Sequence, residues 1–165
     1  MLYDLTIVPG RERKGSPEDV LRHFGTQDGR ALGLSLLRDA VDRRDGSDTE
    51  YALIVCGVFG ITEEDHLELL VQLASAGWHT KHEDVASALD RLRTPAAVNA
   101  LYHLTQWVPD YLDWDEGRAL ARKAVWGLAK IPGPEARAAL RQLLDDRDEH
   151  VRAYAAKRLD RPAQP

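Results

Sequence analysis

Histidine and acidic side chains, the residue types that bind zinc, gather between residues 66 and 84. His79 and His82 lie three residues apart, Glu83 and Asp84 follow directly, and His66 stands upstream. A structural zinc site needs four ligands in tetrahedral geometry, and nothing in this spacing fixes such a geometry. The sequence therefore predicts neither a metal site nor any other cofactor.

The most aromatic part of the chain is a stretch between two predicted helices. Trp107, Tyr111 and Trp114 occur there beside Asp110. Trp and Tyr supply large contact areas and dominate the energetics of protein interfaces. An aromatic loop at the edge of a helical repeat therefore predicts a contact with a partner. The alternative is that Tyr111, Trp114 and the intervening Leu112 fold back and cover the neighbouring helices.

Three residues of the next predicted helix form a second candidate surface. Arg118, Arg122 and Trp126 recur every four residues, so we expect them on one helix face, away from the core positions. Arginine forks and an exposed indole suit acidic or phosphorylated ligands. Asp113 and Asp115, together with Asp110, would instead orient or neutralise the arginines. The predicted partner-binding residues are, in chain order, Trp107, Asp110, Tyr111, Trp114, Arg118, Arg122 and Trp126.

Composition places the chain among ordinary globular proteins. It has 165 residues, of which 44% are hydrophobic and 30% charged, and a formal net charge of −5, values that suit one domain. An acidic chain lacks the excess of Lys and Arg on which binding to nucleic acid or anionic lipid rests. The single cysteine, Cys56, lies in an apolar run and is expected to be a buried thiol. With no signal-peptide pattern and no membrane-spanning run, we expect a cytoplasmic protein. We expect a monomer, with a dimer as the alternative.

Helix-start signals and helical spacing run through the chain from residue 16. Ser16 followed by Pro17 marks the start of a short lead helix. Apolar residues at helical spacing then predict four pairs of helices. The eight paired segments cover residues 32–41, 51–59, 62–76, 82–92, 95–107, 115–130, 134–144 and 148–159. We expect a single domain over 1–165, with residues 1–15 as an extended N-terminal segment, 16–160 as helical repeats and 161–165 as a tail.

The last two-thirds of the chain repeat. Ala124 recurs as Ala155, an offset of 155 − 124 = 31 residues, and such a period is typical of stacked helix pairs. The segment 118–136, followed by 148–156, resembles bacterial HEAT-like repeats. The resemblance implies an all-α fold, a HEAT-like superhelix of about four helical hairpins behind the lead helix. It also implies that the second helices line a concave face used for binding other macromolecules.

Residues 51–59 are apolar on every face of a helix. Such a helix must be covered on all sides, whereas an inner helix of a simple solenoid has one face in water. We therefore predict that residues 2–8 pack on it, with a second subunit as the alternative.

Together these patterns predict a protein-binding scaffold without catalytic activity, such as a toxin antidote, an adaptor or a regulatory subunit. No phosphate-binding loop, Gly-x-Ser-x-Gly motif or poised Cys–His pair is present. The alternative is a nucleic-acid enzyme, because DNA glycosylases built on the same helical repeat use a Trp, an Asp and an Arg on the concave face. The residues that loosely resemble this set are Trp107, Asp110, Arg122 and Trp126. Arginines converging in one groove would favour nucleic acid, and carboxylates around them would favour a protein partner or a purely structural role.

Overall fold

The computed structural model describes residues 15–160, and no strand occurs within that range. Its α-helices are α1 (Pro17–Phe24), α2 (Gly29–Arg43), α3 (Gly46–Phe59), α4 (Glu63–Ala74), α5 (His82–Leu92), α6 (Val98–Gln106), α7 (Ala119–Lys130), α8 (Pro134–Gln142) and α9 (Glu149–Leu159). Helices α2 to α9 form four hairpins behind α1, which confirms the predicted all-α fold with a short lead helix. The predicted extended segment before residue 15 and the predicted tail 161–165 lie outside the described residues.

The hairpins stack in chain order. The first helices contact one another in succession, α2 with α4, α4 with α6 and α6 with α8, and the second helices do the same, with α7 lying between α5 and α9. One continuous hydrophobic core results, which extends from Leu37 in α2 to Ala155 in α9. Because each hairpin buries its apolar face against its neighbours, no single hairpin is a complete structural unit.

The start of α1 shows how local sequence determines a helix end. The Ser16 hydroxyl accepts a hydrogen bond from the Asp19 N–H at 3.2 Å, and the Ser16 N–H donates to the Asp19 carboxylate at 3.0 Å. This reciprocal capping box satisfies two backbone groups that the helix itself leaves unpaired. Pro17 occupies the first helical position, where its missing N–H costs nothing. The predicted start at Ser16 is confirmed.

The start of α7 differs from the prediction. The spacing predicted a helix from residue 115, but α7 begins at Ala119, because Arg118 adopts a left-handed backbone with φ 49° and ψ 51°. A carboxylate oxygen of Asp115 accepts the Ala119 N–H at 2.6 Å, so this acidic residue binds the first turn from outside the helix. The segment before α7 is therefore a longer loop than the sequence indicated.

The apolar helix α3 is covered in part by the lead helix. Val55 of α3 is fully buried and packs with Val20 of α1. On another face, the Arg91 side chain of α5 lies over Gly57, with Nη1 3.2 Å from the position that a Cβ would occupy. The predicted cover by residues 2–8 lies outside the described part of the chain.

Candidate functional site

The loop that joins α6 to α7 spans residues 107–118 and carries five of the seven predicted site residues. It passes beside the start of α5, where the Tyr111 hydroxyl lies 3.0 Å from Nδ1 of His82 and accepts a 3.2 Å hydrogen bond from the His82 backbone N–H. The two rings also stack, with centroids 5.7 Å apart. A loop of the third hairpin is thus attached to the second hairpin.

Hydrogen bonds define the tautomers of His79 and His82. Nε2 of His82 lies 3.0 Å from the Ala76 carbonyl oxygen, and Nε2 of His79 lies 2.9 Å from the Leu73 carbonyl oxygen. A carbonyl oxygen can only accept, so in both rings Nε2 carries the proton. Nδ1 of each neutral ring is then an acceptor, for the Tyr111 hydroxyl in His82 and for a backbone N–H in His79. Every ring nitrogen of the pair is bonded within the protein.

Burial favours the neutral form of both histidines. The rings stack with centroids 4.1 Å apart. Desolvation lowers the pKa of each, and the neighbouring His79 adds to the effect on His82, whose pKa falls to about 4. His66 is buried too, and its Nδ1 accepts the Thr62 N–H at 3.3 Å. A metal ion at the His79–His82 pair would have to displace its hydrogen bonds.

A cleft of about 240 Å³ opens beside the histidine pair. The turn between α4 and α5, the start of α5 and the loop 107–118 form its walls. The side chains that define its chemistry are Trp78, His79, His82, Trp107, Asp110 and Tyr111. Three of the predicted site residues therefore share one site. The contribution of Trp78 and the two histidines was missed, because no sequence pattern connects them to a loop about 30 residues away.

Trp114 projects from the loop and is 75% exposed. Its indole N–H donates to the Tyr111 carbonyl oxygen at 2.9 Å, which orients the ring without burying it. Trp107 and Leu112 instead pack against the core, and the space left beneath the loop is only about 10 Å³, too small for more than one water molecule. Of the three residues that the alternative prediction folds back onto the neighbouring helices, Leu112 and the half-buried Tyr111 do so, whereas Trp114 remains in solvent.

Arg118 belongs to the supporting structure of the loop. Because it precedes α7, the predicted common helix face with Arg122 and Trp126 is wrong for this residue. Its guanidinium forms an ion pair with Asp148 and donates to the Thr105 carbonyl oxygen at 3.0 Å. The partner of Arg118 is therefore an aspartate of the fourth hairpin, not one of the loop aspartates. This ion pair attaches the loop to the next repeat.

Trp126 lies on α7 and contacts two arginines. The guanidinium carbon of Arg158 is 4.3 Å from the Trp126 ring centroid, and that of Arg122 is 6.0 Å away, distances at which the ring face attracts a cation. Arg158 was not among the predicted site residues. It follows Trp126 by 158 − 126 = 32 residues, close to one repeat period, so a comparison of positions one repeat apart could have identified it. The indole remains 43% exposed.

The residues compared with the DNA glycosylase set belong to two groups of contacts. Trp107 and Asp110 line the cleft, whereas Arg122 and Trp126 form the separate cluster on α7. Arg118 is neutralised by its ion pair. The basic residues 11–14, which would have to join a groove of arginines, lie outside the described part of the chain.

The surface around Trp114 is acidic. The loop 107–118 contains four acidic residues and one arginine, and that arginine is already paired. Asp110, Asp113 and Glu116 are exposed. Exposed carboxylates in the same loop as an exposed indole favour a partner with a basic surface, because complementary charge steers association and opposes wrong partners.

Stacked hairpins that share one continuous core define an α-solenoid repeat protein. Residues 110–165, about a third of the chain, match the family described as HEAT repeats. This match agrees with the sequence resemblance, and the described helices have the all-α arrangement of a HEAT-like solenoid. HEAT repeats generally bind protein partners. Comparison with the curated proteins and with the solved structures gave no significant match. Between residues 15 and 160, no helix is long and apolar enough to cross a membrane.

Proposed function

We propose that the protein is a scaffold or adaptor that docks a basic protein partner through the loop 107–118. The observation that carries this proposal is Trp114, an indole that is 75% exposed, oriented by its hydrogen bond to Tyr111, and close in the chain to the exposed acidic residues Asp113 and Glu116. Tryptophan is among the residue types that are enriched at the hot spots of protein interfaces. The general role of HEAT repeats in binding proteins supports the same conclusion.

The contacts of the loop support a binding element that is ordered before the partner arrives. Tyr111 connects it to His82, and the Tyr154 hydroxyl of α9 donates to the Gly117 carbonyl oxygen at 2.6 Å. A flexible loop loses conformational entropy when it becomes ordered at an interface, which weakens binding. A loop that is ordered when the protein folds does not lose this entropy on binding. The partner therefore meets a surface whose shape is set.

Arg122 and Trp126 are assigned to a second contact area on α7. They project from a second helix of the stack, the type of helix that lines the concave face in this architecture. A partner that reached from the loop to this cluster would present carboxylates to the arginines and basic residues to the loop. Such a mixed pattern would give specificity, since a partner of uniform charge satisfies only one of the two areas.

The test is affinity capture with the whole chain, identification of the bound protein, and titration of that protein after purification. We expect Trp114→Ala to weaken binding about 30-fold, because truncation of an interface hot spot costs about 2 kcal/mol. Leu144→Ala, which removes an apolar side chain 39% exposed on the fourth hairpin, should leave the affinity unchanged. Circular dichroism should show equal helical content for both variants.

Equal affinity of the wild type and the Trp114→Ala variant for the purified protein would refute the docking role of the loop. Retention of nucleic acid that is lost on raising the salt concentration would support the nucleic-acid alternative, because phosphate contacts are strongly salt-dependent.

A further inference from the structure

The cleft beside the loop has the size of a receptor for one side chain. Its volume is about 240 Å³, below the range of about 300–1,000 Å³ that is usual for small-molecule sites. It borders the proposed docking surface, since Asp110 and Tyr111 belong to both. A group entering it would therefore come most readily from a protein already seated on the loop.

The walls of the cleft are suited to a cation. Trp78, Trp107 and Tyr111 contribute aromatic rings, whose faces attract positive charge. Asp110 is exposed beside them, and its carboxylate makes no hydrogen bond or ion pair with another residue of the range 15–160. Rings together with an unpaired carboxylate offer a cation both a stacking surface and a counter-charge.

The two histidines of the cleft neither repel a cation nor compete for its hydrogen bonds. All four ring nitrogens of His79 and His82 are bonded to other groups of the protein, and burial holds the pKa of both rings below the usual value. At neutral pH the buried pair therefore adds no charge behind the walls of the cleft. Among the described residues that line the cleft, Asp110 carries the only charge, and Glu83 and Asp84 lie close enough to act electrostatically on Tyr111.

We propose that this cleft receives an arginine side chain of the protein partner, an assignment that rests on the proposed docking function. Guanidinium is planar, stacks on aromatic rings, and pairs with a carboxylate through two parallel N–H groups. It is also less strongly hydrated than the ammonium group of lysine, so it loses less on entering a partly enclosed aromatic site. The acidic loop around the cleft attracts the basic segment that carries the arginine.

The experiment is an NMR titration of the ¹⁵N-labelled whole chain with N-acetyl-arginine amide. The chain has four tryptophans, and the indole N–H signal of each one reports binding near that residue. We expect saturable shifts for Trp78 and Trp107, which line the cleft, and none for Trp126, whose ring already contacts two arginines.

Two comparisons test the chemistry. N-acetyl-citrulline amide has a similar shape and no charge, and it should bind at least about tenfold more weakly, because it loses both the cation–π attraction and the ion pair. Asp110→Asn should weaken the binding of the arginine probe about fivefold, the effect of one exposed ion pair. Asp113→Asn, which removes an exposed carboxylate of the same loop outside the cleft, should have no effect.

Equal binding of the arginine and citrulline probes, or the absence of saturable shifts at Trp78 and Trp107, would overturn the proposal. Asp110→Asn should also weaken binding of the purified partner about fivefold. A partner that is sensitive to Trp114→Ala but not to Asp110→Asn would overturn the arginine assignment and leave the docking function intact. If the arginine probe binds as expected but affinity capture yields no protein that binds the chain, the chemistry of the cleft stands and the docking function is contradicted.

Discussion

Lowering the pH from 7 to 5 should destabilise the protein through His82. Its side chain is fully buried, and its pKa is about 4 in the folded state against 6.5 in an unfolded chain. At pH values between these two pKa values, the unfolded chain binds more protons than the folded chain. The stabilising effect of the neutral ring is therefore complete above pH 6.5 and is lost as the pH falls toward 4. His79 and His66, whose pKa values burial also lowers, act in the same direction.

The size of the effect follows from the pKa of His82. A shift from 6.5 to about 4 corresponds to about 3 kcal/mol over the whole titration, of which about 2 kcal/mol is lost between pH 7 and pH 5. The hydrogen bonds show the structural reason. Protonated Nδ1 can only donate, so the Tyr111 hydroxyl, which donates to the neutral ring at 3.0 Å, would have to reverse its role.

Urea unfolding followed by circular dichroism at pH 7 and at pH 5 measures this loss. The His82→Gln variant has no titrating group at this position, so its free energy of unfolding should fall by about 2 kcal/mol less than that of the wild type. His150→Gln, which removes an exposed histidine of α9, should behave like the wild type. Equal losses in the wild type and in His82→Gln would refute the assignment of the neutral tautomer to His82.

Three further predictions concern the packing of the hairpins. A Cβ at Gly29 would stand 2.1 Å from Cδ1 of the Phe59 ring, so Gly29→Ala should lower the free energy of unfolding by about 1–3 kcal/mol through overpacking, measured by urea titration. Asp148→Ala removes both the ion pair with Arg118 and the cap of α9, and should cost about 2 kcal/mol or more in the same assay. Burial raises the pKa of the Cys56 thiol to about 12, so a thiol reagent at pH 8 should label it only in urea; rapid labelling of the folded protein would contradict its buried position.

The helices could be predicted because their signals are local. Ser16 and Pro17 define the start of α1 by contacts within one turn, and the spacing of apolar residues does the same for each hairpin. The start of α7 could not be predicted, because the left-handed backbone of Arg118 is held by Asp148 and Thr105. Thr105 lies in α6 and Asp148 caps the start of α9, so their positions relative to Arg118 depend on the stacking of the repeats.

The candidate site was predictable only where it consists of one continuous segment. The aromatic residues around Trp114 could be found from the sequence, because they lie within the single stretch 107–114 and interrupt a regular repeat. The cleft could not, since Trp78 and His82 meet Tyr111 only when the second and third hairpins stack. A pattern search that compared positions one repeat apart would recover part of such sites, as the pairing of Trp126 with Arg158 illustrates.

The attachments of the loop 107–118 have a mechanical consequence. It joins two helices of the third hairpin, yet it is bonded to the second hairpin through Tyr111 and to the fourth through Arg118 and Gly117. In an α-solenoid, curvature changes by small rotations between adjacent hairpins. A brace across three hairpins resists such rotations, so bending the superhelix must strain these bonds. A partner that binds the loop and holds these bonds in place would therefore stiffen the stack. The superhelix would then bend less under a given force in the complex than in the free protein.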